Sequence, residues 1–116
     1  MIVEAGNLKR TWTDQPLTWP RDYKAIATPF VLADAKPLPE HHHPFPRFGW
    51  VLEGELKVVQ VRTGRERVFG PGDLIVESIG ERHYGVKVGA EPVVLHLLDI
   101  VPRDWQGGNT VLDPLQ

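Results

Sequence analysis

The chain has 116 residues with 11 Gly, 11 Pro, five His, four Trp and no Cys, and a formal net charge of −2. That length suits one domain, and Gly plus Pro at close to one position in five excludes a mainly helical fold, because both interrupt helices. The lack of Cys excludes disulfides, thiolate catalysis and iron–sulfur sites, and a slightly acidic balance lacks the basic footprint of a nucleic-acid binder.

The start, MIVEAGNLKR, has no charged segment leading into an apolar one. No window approaches the ~18 apolar residues of a membrane span. The expectation is a soluble, cytoplasmic protein with no membrane partner. Residues 1–24 read as an irregular arm carrying Trp12 and Trp19 among Pro16 and Pro20. Those two rings need burial, on the arm's own barrel or on a neighbouring subunit. Residues 25–32 form a first strand, and Pro29 within it marks an edge or a bulge. Residues 35–46 hold four prolines and the run His41-His42-His43.

Residues 48–52 are an apolar strand, and Glu53-Gly54 is a turn. In residues 55–62 the apolar parity shifts from Leu56 and Val58 to Val59 and Val61, which predicts a bulge or burial on both faces. Thr63-Gly64 closes a hairpin with residues 65–69, whose tip clusters Arg62, Arg65 and Arg67 in solvent. Gly70-Pro71-Gly72-Asp73 is another turn. Residues 74–77, 83–88 and 92–101 are further strands. The last of them, PVVLHLLDIV, is apolar enough to be covered on both faces. Residues 102–116 are a tail docked through Trp105. Short strands between turns predict an all-β sandwich or barrel.

In extended chain, alternate residues share a face, so His41 and His43 point one way and His42 the other. His83, on a later strand, can complete a three-His face, and neutral imidazole suits Zn, Cu, Fe and Ni. A His run between prolines is also compatible with a solvated loop. His96 lies mid-strand with Val94, Leu98 and Ile100 as parity partners; it is a hydrogen-bonded core residue or, if that face lines a cavity, a fourth nitrogen or a proton donor. Glu77 is a surface charge if it points outward and a partner for Arg47 if inward. Phe45, Phe48, Trp50 and Tyr84 are packing residues or cavity walls. There is no P-loop, GxSxG or GxGxxG element.

Two blocks carry a family likeness. The first is His41-x-His43, three residues, Arg47, six residues, Gly54, running through Val51-Leu52-Glu53-Gly54-Glu55-Leu56. The second is Gly72-Asp73, four residues, then Ser78-x-Gly80-x-x-His83. Together they resemble the two motifs of the cupin superfamily, and the flanking strands extend the likeness to residues 25–101. The resemblance implies a double-stranded β-helix, the cupin jelly-roll barrel, preceded by the arm and followed by the tail. It implies a divalent transition metal (Fe, Zn, Ni, Mn or Cu) on His41, His43 and His83, and a homodimer formed by sheet extension or arm exchange. Three positions depart from the pattern. Ser78 replaces a proline, Lys87 an asparagine, and Arg47 stands where the family's glutamate ligand falls.

A guanidinium cannot ligate a metal. At ~6 Å from a divalent ion and an effective dielectric of ~20, its repulsion is on the order of 5 kcal/mol. So Arg47 turns away from the metal, or the site is a weaker three-His one, or no metal binds. On the inner face Arg47 can instead clamp a carboxylate or phosphate of a small ligand, with His96, Glu77, Trp50 and Tyr84 as further substrate contacts. Two functions follow: a metal-dependent enzyme, with dioxygenase chemistry foremost by the resemblance, acting on a small anionic substrate; or a non-catalytic ligand-binding or sensing cupin, with or without metal.

Overall fold

Period-two alternation builds nine strands in the computed structural model, which describes residues 9–113. In chain order they are β1 (Tyr23–Leu32), β2 (His41–His42), β3 (Arg47–Glu53), β4 (Glu55–Gln60), β5 (Glu66–Phe69), β6 (Leu74–Val76), β7 (His83–Val88), β8 (Val93–Pro102) and β9 (Val111–Leu112). They form a four-stranded sheet in the order β1-β8-β3-β6 and a five-stranded sheet in the order β5-β4-β7-β2-β9. Every pairing is antiparallel, and the two sheets face each other as a jelly-roll barrel. No helix among the described residues is long and apolar enough to cross a membrane.

The longest ladder joins β1 to β8, from Tyr23 opposite Pro102 to Leu32 opposite Val93. Pro29 sits within it, opposite His96. The ladder tolerates it because β1 is an edge strand, where a missing N–H leaves no neighbour unpaired. The parity shift in β4 is burial on both faces. Its register with β5 and β7 is unbroken, while Leu56, Val58, Val59 and Gln60 are all buried. The bulge lies instead in β3, between Val51 and Glu53, just before the Gly54 turn. Gly54 has φ +76°, and a Cβ there would stand 2.4 Å from the Pro92 carbonyl oxygen, so only glycine fits.

One apolar cluster joins the sheets through Val51, Leu56, Val58, Ile75, Val93 and Leu95, among others. Trp12 of the arm belongs to it. Its backbone N–H donates to Val76 O at 2.8 Å and its ring meets Phe69 edge-on. Arg65 and Arg67 lie over the same ring at 5.7 and 5.8 Å, so these two hairpin arginines cover a tryptophan as well as meeting solvent. A second cluster, Phe48, Val76 and Ile100 with Leu17, Trp50, Leu74 and Leu98, covers the outer face of the four-stranded sheet. Trp19 stacks on Phe48 there but stays 44% exposed. The chain after β8 returns to the barrel: β9 pairs with β2, Leu112 opposite His41 and Val111 opposite His42.

Candidate metal centre

Strand pairing brings the histidines together. His41 on β2 lies directly opposite His83 on β7, and His43, one residue beyond β2, falls on the same side as His41. His42 points the other way, its Nδ1 2.9 Å from Asp113 Oδ1. His43 and His83 are fully buried and His41 is half-buried. Each Nδ1 meets a backbone carbonyl: His41 at Pro39 O (2.7 Å), His43 at Asn109 O (2.8 Å) and His83 at Glu81 O (2.8 Å). A carbonyl only accepts, so each Nδ1 carries a proton, and in the neutral ring that leaves Nε2 as the nitrogen with a free lone pair.

The three imidazoles offer ligand atoms all within 4.8 Å of one another, and Nε2 of His43 and His83 are 3.1 Å apart. Two lone pairs do not face each other at that distance unless a proton or a cation lies between them. Carbonyl-anchored imidazoles with converging Nε2 atoms are the donor set a divalent transition metal takes, so these residues fit the ion the family implies. Burial pushes His41 down to about 4, against the opposing pull of the Pro39 carbonyl, and the neighbouring imidazoles lower it further. His83 is lowered as well, again chiefly by burial. Both are therefore neutral at neutral pH, the form that ligates.

Arg47 and Glu77 are the charged neighbours. Glu77 follows β6, and its N–H donates to Arg47 O at 3.0 Å. Its side chain turns inward, not to the surface, with Oε2 3.3 Å from His43 Nε2 and Oε1 buried without a hydrogen-bond partner among the described residues. Burial alone would raise its pKa. The hydrogen bond from His43, the charges that His43 and His83 carry when protonated, and the Arg47 guanidinium outweigh that and hold it at about 2. Arg47 pairs with Asp99 and not with Glu77. Its Nε and Nη2 donate to Asp99 Oδ1 and Oδ2 at 2.7 and 3.3 Å, across the β3–β8 register. Asp99 in turn accepts from Asn109 Nδ2 at 2.8 Å. One residue of the returning chain therefore positions His43 through its carbonyl and Arg47 through Asp99. Asn109 also clamps the Phe45 N–H and carbonyl.

The site opens on a cavity of about 330 Å³, within the range of small-molecule pockets. Phe30, Leu38, Leu56, Val58, Leu95 and Leu97 supply apolar walls. Among the described residues, Arg47 and Glu77 are the charged side chains that line it, beside His41 and His83.

Three sequence-predicted contacts lie elsewhere. His96 is exposed: Leu95 and Leu97 take the inward positions, which forces His96 outward, so it is neither a core residue nor a fourth nitrogen. Trp50 is half-buried in the outer cluster, because Arg47 and Val51 occupy the inner face of β3. Tyr84 alternates with His83 and Gly85, both inward, and so faces out. Phe48 belongs to the outer cluster, and Phe45 packs edge-on against Trp105. Ser78, expected only to adjust a turn, is buried with Oγ 3.4 Å from His83 Nδ1. Sequence reasoning missed Asp99 and Asn109. Asp99 carried a signal, as the one acid inside an apolar strand. Asn109 carried none, because it lies outside any periodic segment and only the fold brings it to His43, Phe45 and Asp99.

The Cupin domain family matches residues 31–101. No curated protein is matched. Among solved structures, the polyketide cyclase RemF from Streptomyces resistomycificus is similar at 24% identity and TM-score 0.64, over 82% of this chain and 63% of that one. A salicylate 1,2-dioxygenase from Pseudaminobacter salicylatoxidans aligns at 24% identity and TM-score 0.57, over 65% of this chain and 21% of the enzyme. The chain thus spans less than two thirds of either protein. An uncharacterised double-stranded β-helix protein from Klebsiella pneumoniae aligns at 18% identity and TM-score 0.61, over 98% of this chain and 97% of that one. With two ordered motifs, a jelly-roll barrel and a family match over more than half its length, this chain belongs to the cupin domain family.

Proposed function

We propose that this protein is a metal-dependent enzyme of dioxygenase type acting on a small organic anion with an apolar body. His41, His43 and His83 hold the divalent transition metal. The observation that carries this reading is the convergence of three carbonyl-anchored imidazoles at a cavity with apolar walls. Such a metal supplies Lewis acidity and, for iron, the redox capacity that dioxygen chemistry requires.

The remaining roles follow from charge and shape. Arg47 and Asp99 cancel, and Glu77 leaves one negative charge, so a divalent ion makes the site net positive by one. That balance suits a monoanion such as a carboxylate or phenolate. Phe30, Leu95 and Leu97 hold the apolar body and exclude water from it. Likeness to a dioxygenase and a cyclase supports a barrel that hosts such chemistry, through shared fold.

The test is metal analysis of protein purified without a nickel column, followed by oxygen-uptake assays of the iron-loaded protein with small aromatic and aliphatic carboxylates. Stoichiometric metal and substrate-dependent oxygen uptake are expected. Failure to retain a transition metal, or to bind one at micromolar affinity, overturns the metalloenzyme in favour of a ligand-binding cupin. Metal binding with conversion but no oxygen uptake replaces dioxygenation by isomerase, cyclase or hydrolytic chemistry.

A further inference from the structure

We infer that Glu77 is a fourth protein ligand of this centre, supplied from the end of β6 beside Arg47; the inference rests on the metal-dependent reading above. Four observations lead to it. Glu77 borders the imidazole cluster, with Oε2 3.3 Å from Nε2 of its nearest member, His43. Its other oxygen, Oε1, is buried without a hydrogen-bond partner among the described residues. A buried carboxylate oxygen left unpaired is costly, and a cation held by the neighbouring imidazoles would satisfy it. Third, the backbone bond from Glu77 N–H to Arg47 O makes residues 47 and 77 cross-strand neighbours, and both side chains line the cavity. A carboxylate at 77 therefore enters the same space as one at 47.

The fourth observation concerns Arg47. Its guanidinium is engaged by Asp99, which Asn109 holds in place, so it does not compete for Glu77 through a hydrogen bond. The Arg47–Asp99 pair is internally neutral, and Glu77 keeps its single negative charge for the ion. The centre becomes three nitrogens and one oxygen drawn from β2, the residue after it, β7 and the end of β6. The carboxylate is Glu77, and position 47 serves as an electrostatic spacer paired with Asp99.

The experiment compares wild-type protein with Glu77→Gln and Glu77→Ala after chelation, using Co(II) alone as the probe. Affinity is read by competition with a chromophoric chelator, and coordination by the visible d–d spectrum of the Co(II) form. Both variants are expected to lose at least about 10–100-fold in affinity, the range already seen when merely outer-shell partners are removed, and to change the spectrum. A crystal structure of Co(II)-loaded wild-type protein needs no variant; a Glu77 oxygen is expected at about 2.0–2.2 Å from the ion. Wild-type affinity and spectrum retained in the variants, or a Glu77 carboxylate beyond bonding distance in the loaded structure, overturns the inference and leaves the three-His centre standing. A wild-type protein that binds no Co(II) overturns both.

Discussion

The two faces of the four-stranded sheet are built from the same strands and read oppositely. On β3, Arg47 and Val51 point inward while Phe48 and Trp50 point outward; on β8, Leu95, Leu97 and Asp99 point inward while Leu98 and Ile100 point outward. The outer face holds the aromatic residues that look like a ligand-binding wall, yet the arm covers them with Leu17 and Trp19. The inner face has less aromatic surface and carries the ion pair that borders the histidines. Burial and aromaticity therefore mark packing in this protein. Buried charge, and buried nitrogen with its hydrogen bonds assigned, mark the site.

Substitutions on each face break or sharpen that contrast. The largest effect is expected for His43→Ala, which removes a fully buried donor; stoichiometric Co(II) or Zn(II) binding should be lost in a chelator competition. Asp99→Ala and Phe48→Ala come next. Each should destabilise the metal-free protein by about 3–5 kcal/mol in denaturant titration. The first leaves Arg47 buried without its partner, and the second opens a cavity under the arm. Only Asp99→Ala should also weaken metal binding, since it frees the guanidinium beside Glu77. Equal metal affinities in these two variants would erase the distinction between the faces.

The histidine triad was legible because period-two parity puts His41 and His43 on one side whatever the fold, and the motif spacing supplied His83. Pro29 left an edge or a bulge open for β1, and the sheet order makes it an edge. The direction of Glu77 was not legible: Leu74-Ile75-Val76 is apolar at every position, so it offers no polar–apolar contrast from which to read a phase. In the fold Ile75 faces the inner cluster and Val76 the outer one, which makes the next residue inward. The same loss of phase in β8 hid the inward aim of Asp99 and left His96 ambiguous. The Arg47–Asp99 contact spans 52 residues of sequence and depends on the β3–β8 register. The return of the chain through Asn109 to β9 needed a two-residue ladder, too short for any periodic signal.

Acid should act on the inner face first. His41 titrates at about 4 in the folded chain against 6.5 unfolded, so the unfolded state takes up the proton first and stability falls as pH drops from 6.5 towards 4. His83 adds a loss of the same sign. Glu77, ionised down to about 2 when folded, removes further stability between 4.5 and 2. For His41 the full shift corresponds to about 3 kcal/mol, reduced to roughly 2 by its partial exposure. Urea midpoints of the metal-free protein at several pH values measure this, and a flat profile from 6.5 to 4 would mean His41 is solvated.

The smallest effect is expected at His96, and it tests the same contrast from the other side. His96 is exposed, lies opposite Pro29 and Trp50 in its two ladders, and shares no face with the imidazoles. Its strand position keeps extended geometry for any non-proline residue, so His96→Gln should change stability by no more than about 0.5 kcal/mol. Metal affinity should be unchanged, because the ring is separated from the centre by the sheet itself. If His96→Gln instead lowered Co(II) affinity, the parity of β8 would be reversed in solution. Asp99 would then leave Arg47, and the division of the sheet into a packing face and a chemical face would fail.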